Sequence, residues 1–382
     1  MSRKLLSYTA LGLILGNTAF ADVPKVAVDI APVHSLVSRV MEGVGTPKLV
    51  IPAGASPHGY SLRPSEAKAL QDADMVIWMG EDLAPWMENS VETLSKNAEV
   101  ITLLEESETK LLDFREGALF EEHDHSDHDD HDDHDKDHDD HDHDKDHDDH
   151  DDHDKDHDDH DHDKDHDDHD DHDKDHDDHD HDKDHDDHDD HDKDHDDHDD
   201  HDGHDDHDEH AHGEHDPHAW LSVENAQTWL NLVAGKLSAA DPENAGVYFA
   251  NAAEARAEVD ALIREVNSIL EPVRGRNFVV FHDAYQYFET SFDFPAAGAI
   301  SLADASDPSA ARIAEIQGRV RDEGINCVLS EPQYNPNLVE TVLSGTDAKT
   351  GVIDPLGFSL EPGPKLYGDL IRNMAKALAG CL

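Results

Sequence analysis

Residues 243–273, ENAGVYFANAAEARAEVDALIREVNSILEPV, carry the reading on which the fold turns. Val259, Leu262, Val266, Ile269 and Val273 step by three or four, so a helix from about Glu243 to Val273 carries one apolar stripe. Short β-rich runs precede it at 25–30, 48–52, 75–80 and 99–104. Helical stretches lie among them at 35–42 and at 65–72, the latter just after Pro64, and another follows at 223–237. Beyond the long helix come four more strand-like runs, at 277–281, 295–300, 326–330 and 350–353, again with helices between. Two βα halves joined by one long helix predict an α/β protein of two lobes. Each lobe would hold a parallel-rich sheet flanked by helices, with the ligand between lobes. The boundaries so read are an N-terminal lobe at 22–122 completed by 216–241, a linking spine helix at 242–273 and a C-terminal lobe at 274–382.

Between the halves of the first lobe lies a segment of a different kind. Residues 123–215 comprise 93 positions, of which 31 are His, 49 Asp, 2 Glu and 7 Lys. Seven lysines against 51 acidic residues give this stretch −44 of the chain's formal −63, leaving −19 for the remainder, an ordinary acidic globular value. The lysines fall at 136, 145, 155, 164, 174, 183 and 193, alternating steps of nine and ten, so the repeat unit has 19 residues. With no apolar side chain from 123 to 209, the stretch cannot offset its ordering entropy, and disorder is expected. So negative a chain is an implausible partner for nucleic acid.

The N-terminus reads as an export signal. Arg3 and Lys4 precede an apolar run from Leu5 to about Leu15, and Ala19-Phe20-Ala21 offers small residues for cleavage, leaving Asp22 first. No other stretch approaches 18 apolar residues, so the mature chain is expected in the periplasm and not embedded in a membrane. Cys327 and Cys381 are the chain's cysteines; in an oxidising compartment they can pair, or they can remain two separate buried thiols.

Outside the repeat four histidines remain: His34, His58, His218 and His282. His58 follows the run ending at Pro52, His282 caps the run at 277–281, and His218 stands just ahead of a helix in Asp216-Pro217-His218-Ala219-Trp220. Asp354 ends the run Gly351-Val352-Ile353 in the same manner. α/β proteins place ligand-binding groups at such strand ends. Three imidazoles and one carboxylate suit a tetrahedral Zn2+, although imidazole also accepts copper, nickel or iron. The plainer alternative is that each histidine satisfies a local hydrogen bond. His34, at a helix start in Pro32-Val33-His34-Ser35, is read as structural.

The chain resembles the zinc-specific, ZnuA-like branch of the periplasmic metal-binding proteins that serve ABC transporters. The residues carrying the resemblance are Gly54-Ala55-Ser56-Pro57-His58, then Tyr60-Ser61-Leu62-Arg63-Pro64-Ser65, His218-Ala219-Trp220-Leu221-Ser222, the run from Phe281 to Phe288, and Asp354-Pro355-Leu356-Gly357. They stand in family order and span nearly all of the mature chain except the repeat. The resemblance implies metal in the inter-lobe cleft. His58 and His218 would come from the N-terminal lobe, His282 from the C-terminal lobe, and Asp354 or a water would be the fourth ligand. It favours Zn2+, because manganese- or iron-selective relatives usually carry a carboxylate where this chain has His282. It further implies a His-rich acidic loop at the position of the repeat, a Cys pair, and delivery to a membrane permease. The expected form is a monomer that binds without catalysis.

The repeat's HDH triplets offer N and O donors for a zinc scavenger or buffer; otherwise it is a solvated acidic tether. Other readings are a manganese- or iron-binding transporter component, a periplasmic zinc buffer or metallochaperone, and a zinc hydrolase with Glu331 as base. The hydrolase lacks support from any HExxH, GxSxG or Walker A motif.

Overall fold

A computed structural model of the chain describes residues 22–115, 120, 215–301, 308–334 and 336–382. The leader expected at 1–21 and the repeat up to residue 214 lie outside the described residues.

Two four-stranded sheets form, and every pairing in them is parallel. The first runs β2 (Lys48–Leu49), β1 (Val26–Val28), β3 (Met75–Trp78), β4 (Glu99–Thr102). The second repeats that order with β6 (Ala299–Ser301), β5 (Phe278–His282), β7 (Cys327–Ser330) and β8 (Lys349–Val352). Both arrangements are those expected of two βα halves. Parallel sheets need both faces covered, and β5 displays how: Phe278 and Val280 enter the main core, while Val279 and Phe281 enter a smaller cluster with Ile316, Val320 and Val342. The smaller cluster is supplied by α7 (Ala310–Asp322) and α8 (Pro336–Leu343).

The long helix, α5, runs from Ala245 to Leu270 and ends in a 3-10 turn, Glu271–Val273, where Pro272 withholds the next backbone donor. Its buried stripe is Tyr248, Ala252, Ala255, Val259, Leu262, Val266 and Leu270. The last turn is thus buried through Leu270, whereas Ile269 only packs at the edge of the core. The stripe packs against α4 (Val223–Ala240), α1 (Ala31–Val40) and the C-terminal helix α9 (Leu366–Cys381), which crosses back from the second half of the chain.

Two expectations shift. The first helix begins at Ala31 rather than 35, because Pro32 fits a first helical turn without losing a hydrogen bond, and it gives way to a turn through Gly43 at φ +79°. His34 is therefore inside a helix rather than at its start. His282 is the last residue of β5, paired with Ser301, rather than the residue after the strand.

Strand order reverses between β1 and β3 in one sheet and between β5 and β7 in the other, and ligands bind at such switch points beyond the strand C-termini. In the first sheet Asp29 closes this point: its carboxylate accepts the backbone N–H of Ile30 and of Met79, each at 2.7 Å, and burial pushes it up to about 7. In the second sheet the equivalent position is held by His282 and Glu331. Cys327 and Cys381 form a disulfide, joining the first residue of β7 to the end of α9.

Candidate metal centre

Each candidate ligand is delivered by a locally fixed segment. His58 lies in the loop between β2 and α2 (Pro64–Gln71). Pro57 offers its carbonyl to the Trp86 indole N–H at 2.6 Å, and Ser56 Oγ accepts the His58 backbone N–H at 3.3 Å. The loop closes on α2 because Glu66 accepts both the Tyr60 hydroxyl, at 2.9 Å, and the Arg63 backbone N–H, at 2.7 Å. Gly54, at φ +89°, permits a close approach from the other half of the chain: a Cβ there would lie 2.9 Å from the Phe358 ring.

His218 follows Asp216, whose Oδ1 meets both the His218 backbone N–H at 2.9 Å and its Nδ1 at 2.7 Å. A 3-10 turn, Ala219–Leu221, then leads to Ser222, which caps α4 by accepting the Asn225 N–H. His282 comes from the end of β5, and its Nδ1 lies 2.5 Å from Glu331 Oε1, the residue just past the neighbouring strand β7. The other Glu331 oxygen accepts the Gln333 side-chain amide at 2.8 Å. A carboxylate at Nδ1 stabilises the Nδ1–H tautomer and leaves Nε2 as the donor to a metal.

His58, His218 and His282 meet, with one ligand atom from each within 4.8 Å of the others. Among the described residues they are the one set of three or more His, Cys, Asp or Glu side chains close enough to hold an ion. Adjacent ring centroids stand 5.4 Å apart. His218 and His282 are each 2 % exposed, and His58 is half-buried. The hollow they line measures about 10 Å³, which admits one ion or one water. Larger hollows lie elsewhere, for example about 440 Å³ lined by Arg39, Glu258 and Arg372, and hold no imidazole cluster.

Asp354 stands outside the triad. Its Oδ1 accepts the backbone N–H groups of Leu356, at 3.0 Å, and Gly357, at 2.9 Å, in a tight turn. That turn is tied to the His218 segment, since the Trp220 indole N–H donates to Pro355 O at 2.8 Å. His34 is satisfied as expected, with Nε2 at 3.2 Å from Pro47 O and Nδ1 at 3.4 Å from Ser38 Oγ; burial lowers its pKa.

Neither Asp216 nor Glu331 was read from the sequence as a partner of a histidine. Asp216 was legible as an acidic residue two positions before a histidine. Glu331 stood out as a carboxylate at a strand end, but as a candidate base. In the structure it pairs with His282 Nδ1. Around them, burial raises Asp283 to about 6 against the pull of Arg115, and burial reinforced by Glu331 raises the Tyr285 phenol well above its usual range.

Replacing Glu331 with Gln keeps the shape but withdraws the charge that orients His282. Losses of this kind cost roughly 10–100-fold in metal affinity. Chelator competition on Glu331→Gln checks this, and an unchanged dissociation constant would remove Glu331 from the site.

The family model described as "ZnuA: Zinc-uptake complex component A periplasmic" matches residues 26–381. The high-affinity zinc uptake system protein ZnuA of Brucella abortus (strain 2308) is 41% identical over 367 residues, covering 96% of this chain and 94% of that protein. The protein of the same name from Paracoccus denitrificans (strain Pd 1222) is 42% identical over 380 residues, covering 98% of each. Among solved structures, "Crystal structure of ZnuA" superposes with a TM-score of 0.61 at 16% identity, covering 94% of this chain and 99% of that one.

Proposed function

The chain belongs to the family of periplasmic zinc-uptake complex components, and from that premise we propose that it captures Zn2+ and delivers it to an ABC-type importer. The observation that carries this reading is the convergence of three imidazoles, two of them buried and each backed by a buried carboxylate, on a hollow the size of one ion. Neutral nitrogen donors suit zinc; manganese prefers a set richer in carboxylate and water oxygen. His58, His218 and His282 are the ligands in this reading. The fourth position falls to the free oxygen of Asp354 or to a water. A tetrahedral ion takes Zn–N of about 2.0–2.1 Å, and the three side chains each offer a ligand atom within 4.8 Å of the others for it.

The first sheet with its helices (22–122 and 216–241) forms the N-terminal lobe in this reading, 242–273 the spine and 274–382 the C-terminal lobe. Residues 1–21 direct export, and the disulfide between Cys327 and Cys381 supports an oxidising, periplasmic destination. Among the described residues no helix is long and apolar enough to cross a membrane, and in this reading the importer's permease is the partner. The repeat at 123–215 scavenges zinc through the N and O donors of its HDH triplets. The binding protein acts as a monomer, and transport is driven by an ATPase on another chain.

The test is competition between metals. Chain lacking residues 123–214, offered equimolar Zn2+ and Mn2+, is expected to emerge from native mass spectrometry with one zinc. Manganese in zinc's place, or no bound ion, would sink the assignment.

A further inference from the structure

The stretches flanking residues 121–214 are built into the fold on both sides. On the entering side, Lys110 pairs with the Asn225 side chain through both its N–H and its carbonyl, at 2.8 and 3.0 Å. Leu112 donates its N–H to the Tyr287 hydroxyl at 2.9 Å, and its carbonyl accepts the Asp216 N–H at 2.8 Å. Asp113 forms an antiparallel bridge with His215, reinforced by a 2.9 Å side-chain contact. On the returning side, the Asp216 carbonyl accepts the same Tyr287 hydroxyl at 2.9 Å, while the Asp216 carboxylate holds His218. One tyrosine on α6 (Gln286–Phe292) therefore seats both arms.

Arg115 completes the attachment. Its guanidinium grips Asp283 through Nε at 3.0 Å and through Nη2, and it grips Glu289 at 2.8 and 3.1 Å. The three side chains are only 16 %, 4 % and 6 % exposed. Glu289 sits on α6, and Asp283 directly follows His282. Buried ion clusters stabilise little compared with apolar packing of the same volume. What distinguishes this one is its reach: it joins the arm that pairs with the His218 segment to the residue beside His282.

We propose that residues 110–115, paired with 215–216, form a strut that fixes His218 relative to His282, and that Arg115 is its anchor and a positioning residue for zinc capture. This rests on the triad being the zinc site. The entering arm of the His-rich segment is thereby attached to the cleft, so a load applied at residue 115 reaches Asp283, one position from a ligand.

The test measures zinc release from the full mature chain into excess chelator by stopped flow. His282→Ala identifies the cleft: the slowest phase in wild type is the one this variant lacks, and its absence from wild type would overturn the triad rather than the strut. Arg115→Ala is expected to speed that phase by roughly 10-fold or more, the scale for groups that orient a metal ligand, with Arg115→Lys between it and wild type. Glu289→Gln leaves Arg115 balanced against Asp283 and serves where Arg115→Ala fails to fold; it too is expected to release faster. Val342→Ala, in the separate cluster behind β5, is the control for general loosening. Wild-type release rates in the folded Arg115 and Glu289 variants would overturn the strut. So would equal acceleration in a Val342→Ala variant of matched melting temperature.

Discussion

Replacing His282 with alanine in the chain lacking residues 123–214 is expected to weaken zinc binding by about three orders of magnitude in chelator competition. Structural zinc sites are worth roughly 10–16 kcal/mol, so each of four ligands carries about 2.5–4 kcal/mol. At about 1.4 kcal/mol per decade that is a loss of some 60- to 700-fold for the nitrogen alone. The variant loses more, because Glu331 then keeps its buried position without the imidazole that satisfies Oε1. His58→Ala acts at the half-buried rim, where less surface is left uncovered, so its loss should stay nearer the ligand value. His34→Ala, whose side chain bonds Pro47 and Ser38 instead, should leave the dissociation constant where it was. A tight site that survives both ligand substitutions would show that the three imidazoles meet for another reason. No tight site even in the parent of these variants would make the His-rich segment the binder.

What the sequence discloses about this site, and what it hides, follows the range of the interactions. The three histidines could be found because each stands at the end of an element whose period is local: a β-rich run for His58 and His282, a helix start for His218. Parallel order in both sheets was legible for the same reason, since βα alternation with a long intervening helix leaves few other topologies. Asp354 was found as a position but not as a state. Asp-Pro-Leu-Gly is turn chemistry, in which an aspartate oxygen accepts N–H groups two and three residues on, and that competing use occupies Oδ1. Glu331 and Arg115 lay beyond reach. The first finds its imidazole 49 residues away across two paired strands, and the second finds its carboxylates 168 and 174 residues away. No local pattern selects such partners, because the side-chain type is common to any solvated loop. The first helix was placed at 35–42 but runs from Ala31 to Val40, because Pro32 is tolerated in a first helical turn.

Removing the Cys327–Cys381 bridge is expected to lower the unfolding free energy of the apo chain by about 4 kcal/mol, the chain-entropy value for a closed loop spanning 54 residues. At roughly 2–4 °C per kcal/mol for a body of this size, the melting temperature should fall by about 10 °C on reduction or in a Cys327→Ser, Cys381→Ser double variant. The fold should survive, because α9 also buries Leu366, Leu370, Ile371, Met374 and Leu378. Loosening should instead concentrate where the helix end lies on the sheet. Gly351 of β8 is pressed so closely there that a Cβ would stand 3.2 Å from Cys381 Cβ and 3.1 Å from Leu329. Cys327 opens β7 whereas Glu331 follows its last residue, so the bridge and the carboxylate that holds His282 lie at opposite ends of the same strand. Zinc affinity at a temperature where both forms are folded should therefore differ little between oxidised and reduced chain. Equal melting temperatures would mean that the unfolded chain is already held compact without the bridge. A large loss of zinc affinity on reduction would instead mean that β7 transmits the strain of its N-terminal end to Glu331, and that the second sheet cannot be divided into a stabilised base and an independent binding edge.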